Sequence, residues 1–149
     1  MNKKTPIINF MEEISGGNKK YWLTLAQRIV KNGNSEEILA IKYVDCYNES
    51  LQEVPSEIKQ CRNITNLNLN NNKLQDLPNW IVQFEDLHTL TIDKNEFQVI
   101  PKIIFKLKNL KTLWITNNPL DWDQIKLLMK GMPKDCNIKY TSPNNNSRL

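Results

Sequence analysis

The feature that most constrains this chain is a fixed period. From Ile64 onward the landmarks are Ile64, Leu67, Leu69, Asn72, Leu74, Leu77, Pro78, Ile81 and Phe84. Moved forward by 23 residues, the same frame reads Leu87, Leu90, Ile92, Asn95, Phe97, Ile100, Pro101, Ile104 and Leu107. Moved back by 23, it reads Ile41, Val44, Cys46, Glu49, Leu51, Val54, Pro55, Ile58 and Cys61, and only Glu49 breaks the frame. A further copy opens with Leu110, Leu113, Ile115, Asn118 and Leu120 and then stops. No helical period and no sustained strand alternation gives such spacing. A recurrence of this length marks a stacked array, because a unit this short cannot bury its own apolar face.

The local chemistry of one unit follows from its spacing. Residues two apart on a strand share a face. Leu67 and Leu69 therefore point inward, while Asn66 and Asn68 point out. Asn72 is placed to bond backbone groups left open where the chain leaves the strand. Repeated as Asn72, Asn95 and Asn118, it predicts an internal ladder, interrupted at Glu49. The proline that follows has a fixed φ suited to a first helical position, so a short helical turn or extended segment is expected there. Ile81, Phe84 and their equivalents close the core from the far side.

These L-x-x-L-x-L-x-x-N-x-L frames, each whole one followed by an L/I/V-P pair, resemble the leucine-rich repeat family over roughly residues 41–125. The resemblance implies an α/β solenoid, a short horseshoe with parallel strands on its concave face. It divides the chain into a helical N-terminal cap at 1–40, repeats at 41–63, 64–86, 87–109 and a partial 110–120, a C-terminal cap at 121–142, and a disordered tail at 143–149. The Leu-Pro variety of the repeat is similar to the intracellular type, which implies a cytoplasmic protein.

The flanks fit that division. Trp22, Leu25 and Ile29 fall at helical spacing within 18–31, a shorter helix is expected near 7–14, and Asn34-Ser35-Glu36-Glu37 reads as a lead-in or brief turn. After Asn118-Pro119-Leu120, a helix is expected from an N-cap at Asp123 to Lys130. Ile125, Leu128 and Met129 should face the core, Gly131 should end the helix, and Trp122 should plug the core end. The run Asn137-Ile138-Lys139-Tyr140 is expected to add a last strand.

Composition removes several function classes. The net charge is +4, and the repeats over 41–118 carry equal numbers of acidic and basic residues. No basic stripe supports nucleic acid as a partner. No apolar run reaches the ~20 residues of a membrane helix, and the N-terminal stretch lacks a signal-peptide pattern. Cys46 and Cys61 hold inward landmarks and Cys136 lies further on, so buried free thiols in a reducing compartment are expected. His88 is the single histidine, at an exposed strand flank. The four glycines lie outside the repeats, and no phosphate loop forms. Neither a catalytic constellation nor a cofactor or metal site emerges, so the chain is expected not to be an enzyme.

What remains is recognition. The outward positions of successive strands form columns, as the solenoid reading requires. The third position of each unit gives Tyr43, Asn66, Thr89 and Thr112, and the fifth gives Asp45, Asn68, Thr91 and Trp114. The seventh gives Tyr47, Asn70, Asp93 and Thr116. Interface hot spots are enriched in Trp and Tyr. The expected binding residues are Trp114 as anchor, Thr91, Asp93, Lys111 and Thr116 around it, Asn68 and Asp45 between, and Tyr43 and Tyr47 as a second region. The expected partner is another protein, bound by a monomer. A self-associating scaffold would instead use a convex patch of Trp80, Val82, Ile103 and Phe105. Glycan binding or catalysis is the third alternative.

Overall fold

The computed structural model describes residues 35–143. The helices expected near 7–14 and 18–31, the role of Trp22 and all but the first residue of the 143–149 tail lie outside the described residues. Within them the chain runs α1 (Ser35–Leu39), β1 (Tyr43–Asp45), β2 (Asn66–Asn68), β3 (Thr89–Thr91), β4 (Thr112–Trp114), α2 (Trp122–Gly131) and β5 (Asn137–Lys139). The strands form one parallel sheet in sequence order. Tyr43 pairs with Asn66, Asn66 with Thr89, and Thr89 with Thr112, so the sheet register is the sequence period itself.

Each strand is only three residues long because one central inward residue, Val44, Leu67, Leu90 or Leu113, is all that the stack requires of it. All four are buried, as are the landmarks two residues on, Cys46, Leu69, Ile92 and Ile115. Just beyond, Asn48, Asn71, Lys94 and Asn117 hold φ of 58, 57, 51 and 53°. That left-handed turn brings the chain out of the strand, and Asn is among the few residues that tolerate it readily. The frame therefore carries a second asparagine signal, one residue before the ladder position, with Lys94 as its exception.

Opposite the sheet run three five-residue 3₁₀ helices, Ser56–Gln60, Asn79–Gln83 and Lys102–Lys106. Pro55, Pro78 and Pro101 precede them at the cap position, in an extended conformation with φ of −57, −69 and −57°. The prolines thus stand one residue earlier than the first helical position expected for them. Their locked φ suits extended backbone equally well, and the missing N–H faces no strand partner there. Ile58, Ile81 and Ile104 are each at most 2% exposed and fill the core from this side.

The ladder expected from the asparagines is present. Asn72 Nδ2 donates to the carbonyls of Cys46 and Leu69, Asn95 Nδ2 to those of Leu69 and Ile92, and Asn118 Nδ2 to those of Ile92 and Ile115. Each side chain thereby ties its own turn to the one before it. At Glu49 the ladder stops: the side chain is buried and its Oε2 has no hydrogen-bond partner among the described residues. Burial first, and the nearby Asp45 second, raise the carboxyl pKa of Glu49.

Both flanks depart from the sequence expectations. Residues 35–39 are helical, and Ile38 of α1 is buried beside the first unit. At the other end the N-cap of α2 is Asp121, whose carboxylate accepts from the Gln124 N–H at 2.9 Å. Asp123 instead lies in the first turn, where its charge complements the helix dipole. The buried face is Ile125 and Leu128, three residues apart; Met129 and Trp122 are 54% and 39% exposed. Those two, seven residues apart, share a different stripe, so Trp122 does not plug the core. Gly131 is the last helical residue, and a Cβ there would sit 2.5 Å from Cε1 of Phe105. β5 forms as expected, but its register with β4, Thr112 to Asn137, is two residues longer than the repeat. The ten-residue α2 replaces a five-residue 3₁₀ turn and takes up the difference.

Candidate functional site

The sheet has one face turned into the core and one turned to solvent, and the open face carries the outward columns. Alternation along each strand places Tyr43 and Asp45 there from β1, Asn68 from β2, Thr91 from β3 and Trp114 from β4. Lateral register puts Asp45, Asn68, Thr91 and Trp114 in one row.

Much of that row is occupied with itself. Asp45 Oδ1 accepts from Asn68 Nδ2 and from the Tyr47 N–H, both at 2.9 Å. Asn68 Oδ1 accepts the Thr91 hydroxyl at 2.9 Å and the Asn70 N–H at 3.1 Å. The next row is similar: Asn70 Oδ1 accepts the Asp93 N–H at 2.7 Å, and Asp93 Oδ1 accepts the N–H and hydroxyl of Thr116 at 2.6 and 2.9 Å. Asp93 is itself buried. The Tyr43 hydroxyl donates to Asp45 Oδ2 at 3.3 Å, and burial followed by the Asp45 charge raises its pKa. Asp45, Asn68, Thr91, Asp93 and Thr116 therefore bond one another across the strands.

The exposed aromatic residues stand apart on the face, on β1 and just after it, and on β4. Trp114 is 44% exposed, Tyr43 41% and Tyr47 53%. β1 and β4 are three strands apart, about 14 Å at the usual strand spacing. Lys111 stands just before β4 and is held by Asp135, whose carboxyl is kept below its usual range by that hydrogen bond and by the lysine charge. One contributor had no sign in the repeat frame: β5 brings Lys139 into lateral register with Trp114. The signal for it is the Ile138/Tyr140 pair at inward spacing, both packed against the core.

On the opposite side of the solenoid, Ile103 is buried, while Trp80 and Phe105 pack against the core. Trp80 also meets the Phe84 ring edge-on at 5.8 Å. Of that set only Val82 is exposed.

Among the described residues no cluster of His, Cys, Asp and Glu could hold a metal, and no helix is long and apolar enough to cross a membrane. The three cysteines are buried and unpaired. Burial pushes the Cys46 thiol well above its usual range and the Cys61 thiol up to about 11.

No protein-family model matches the chain, and no curated protein matches it. Solved structures do. A leucine-rich repeat protein of Leptospira interrogans superposes with a TM-score of 0.61 over 69% of this chain, at 31% sequence identity. The chain belongs to the leucine-rich repeat family. It spans 27% of the length of that bacterial protein, so the likeness does not extend to the whole of that molecule. As a leucine-rich repeat chain, it places the open sheet face on the concave side of the solenoid.

Proposed function

We propose that this leucine-rich repeat chain is a non-catalytic, cytoplasmic module that binds a partner protein through its concave sheet face. The observation that carries the reading is the exposure of Trp114 on a face whose central polar groups are already paired. A half-exposed indole on a rigid strand desolvates a large area at small entropic cost, the usual composition of an interface anchor. The paired Asn, Asp and Thr rows give the partner a pre-organised polar surface around it. Unpaired buried thiols fit a reducing compartment.

The test compares the wild-type chain and Trp114→Ala, immobilised side by side and exposed to the native lysate, with captured proteins quantified. A hot-spot residue contributes about 2 kcal/mol or more, which is roughly a 30-fold loss of affinity. Wild-type capture of a protein set that Trp114→Ala fails to retain, with equal thermal melts, is the expected result. Equal capture by both chains would remove the concave face as the binding surface.

A further inference from the structure

The concave face is electrically uneven, and its cations gather at the Trp114 end. β5 sets Lys139 directly beside Trp114 in the sheet register, about 4.8 Å away at the backbone. Both side chains are exposed. The adjoining acids form no ion pair with Lys139 among the described residues. Asp93 is buried and bonded to Thr116, and Asp45 belongs to the far end of the row. Asp135 is taken by Lys111. The other ion pair among the described residues is Lys126–Asp123, away on α2. Lys94, in the turn after β3, is also exposed and makes no ion pair among them. The exposed charges beside the indole are therefore cations, one adjacent in the sheet and one in the neighbouring turn, with Thr91 and Thr116 as neutral neighbours and the one nearby carboxylate, Asp93, buried against Thr116.

Resting on the reading of the concave face as a protein-binding surface, we infer that this end selects an acidic peptide segment: an apolar or aromatic side chain lies over Trp114 while a flanking Asp or Glu meets Lys139. One short extended segment can make both contacts, since residues two apart present their side chains on one face about 6.6–6.8 Å apart, a spacing within reach of the long Lys139 side chain and the Trp114 ring. It also separates two roles. Trp114 supplies contact area irrespective of charge, whereas Lys139 discriminates by charge. A basic segment would bring a like charge onto an ammonium that has no counter-ion among the described residues, which is how a surface rejects the wrong partner.

A random-peptide phage library panned against the full chain, against Lys139→Glu and against Trp114→Ala tests this. Matched circular dichroism melts establish that all three fold. Peptides selected by the wild-type chain are expected to carry Asp or Glu two residues from an apolar residue. A fluorescein-labelled acidic peptide from that pool should bind Lys139→Glu at least about ten-fold more weakly, and its wild-type affinity should fall with added salt as surface charges are screened. Wild-type pools without acidic bias, or equal binding by Lys139→Glu, overturn the inference and leave the concave-face reading in place. Pools that Trp114→Ala selects unchanged, or no enrichment on any chain, overturn both.

Discussion

Truncating the ladder asparagines to alanine should give unequal losses, in an order set by what each side chain leaves behind. Asn72 Oδ1 accepts two backbone N–H groups, those of Glu49 and Leu51, both at 3.0 Å, and its Nδ2 donates to the Cys46 carbonyl at 2.8 Å. None of these three groups has another partner among the described hydrogen bonds. Asn72→Ala therefore strands two buried donors and one acceptor. Asn95 Oδ1 accepts only the Leu74 N–H, at 3.0 Å. The carbonyls bonded by its Nδ2 each keep a second donor: Asn72 Nδ2 for Leu69, Asn118 Nδ2 for Ile92 and the Asn71 N–H for Asp93. Asn95→Ala thus strands one donor. Asn118 is only half-buried, so water can reach what its loss exposes.

An unsatisfied buried polar group costs about 1–3 kcal/mol. Asn95→Ala should then cost about 1–3 kcal/mol, Asn72→Ala about 3–5 because the losses share one site and do not add in full, and Asn118→Ala about 1. Against a total stability on the order of 5–15 kcal/mol, Asn72→Ala alone removes a large fraction. Equilibrium urea unfolding followed by far-ultraviolet circular dichroism reads the three differences under one set of conditions. An Asn95→Ala loss equal to or above that of Asn72→Ala would refute the reasoning, since it would mean that stranded backbone groups do not set the cost.

Four other outcomes are expected. Glu49→Gln should stabilise by roughly 1 kcal/mol near neutral pH, because it removes a buried charge with no partner among the described residues. Its sign has a pH signature: burial holds the folded carboxyl pKa above the ordinary 4.5. The wild-type contribution is thus fully present below that value and lost as pH rises through the folded one, so the melting difference should widen as pH rises above about 4.5, and a flat difference would count against it. Gly131→Ala should destabilise by about 1–2 kcal/mol, because the added Cβ meets the Phe105 ring, and Phe105→Leu in the same chain should recover part of the loss in thermal melts. Native Cys61 should resist iodoacetamide at pH 7.5, with its thiol held up at about 11; labelling as fast as in urea-unfolded chain, read by mass spectrometry, would contradict its burial. Val82→Asp on the convex side should leave the chain folded and its capture of partners unchanged, whereas lost capture would move the working face there.

The sheet was legible in the sequence because the period that creates it is also its register: Tyr43 to Asn66 in the sequence is Tyr43 beside Asn66 in space. Each inward landmark is buried because stacking leaves a central strand residue no other environment. What the frame did not show lies where stacking stops. α2 packs against a unit from one side only, so Ile125 and Leu128 suffice to cover it. The remaining apolar residues, Trp122, Leu127 and Met129, stay outside at 39, 48 and 54% exposure. A helical apolar pattern cannot tell a covered stripe from an uncovered one when three stripes are apolar. The capping choice between Asp121 and Asp123 was equally closed, since both are followed three residues on by a residue able to donate its N–H.

The candidate site divides along the same line. The columns on β1 to β4 follow from the period, but their chemistry depends on which polar groups find each other. Asp45, Asn68 and Thr91 alternate acceptor and donor across three strands, and so are consumed. Trp114 comes next in the row, where a ring can neither continue that chain nor enter the core. The row therefore ends at Trp114 for a physical reason, and the strand beyond it is not a repeat at all. β5 needs only Ile138 and Tyr140 on its inner side, which leaves its outward residue unconstrained by the ladder. Lys139 occupies that freedom. A substitution there can change what the face binds without changing what holds it together, which is the property expected of a position that sets specificity rather than fold.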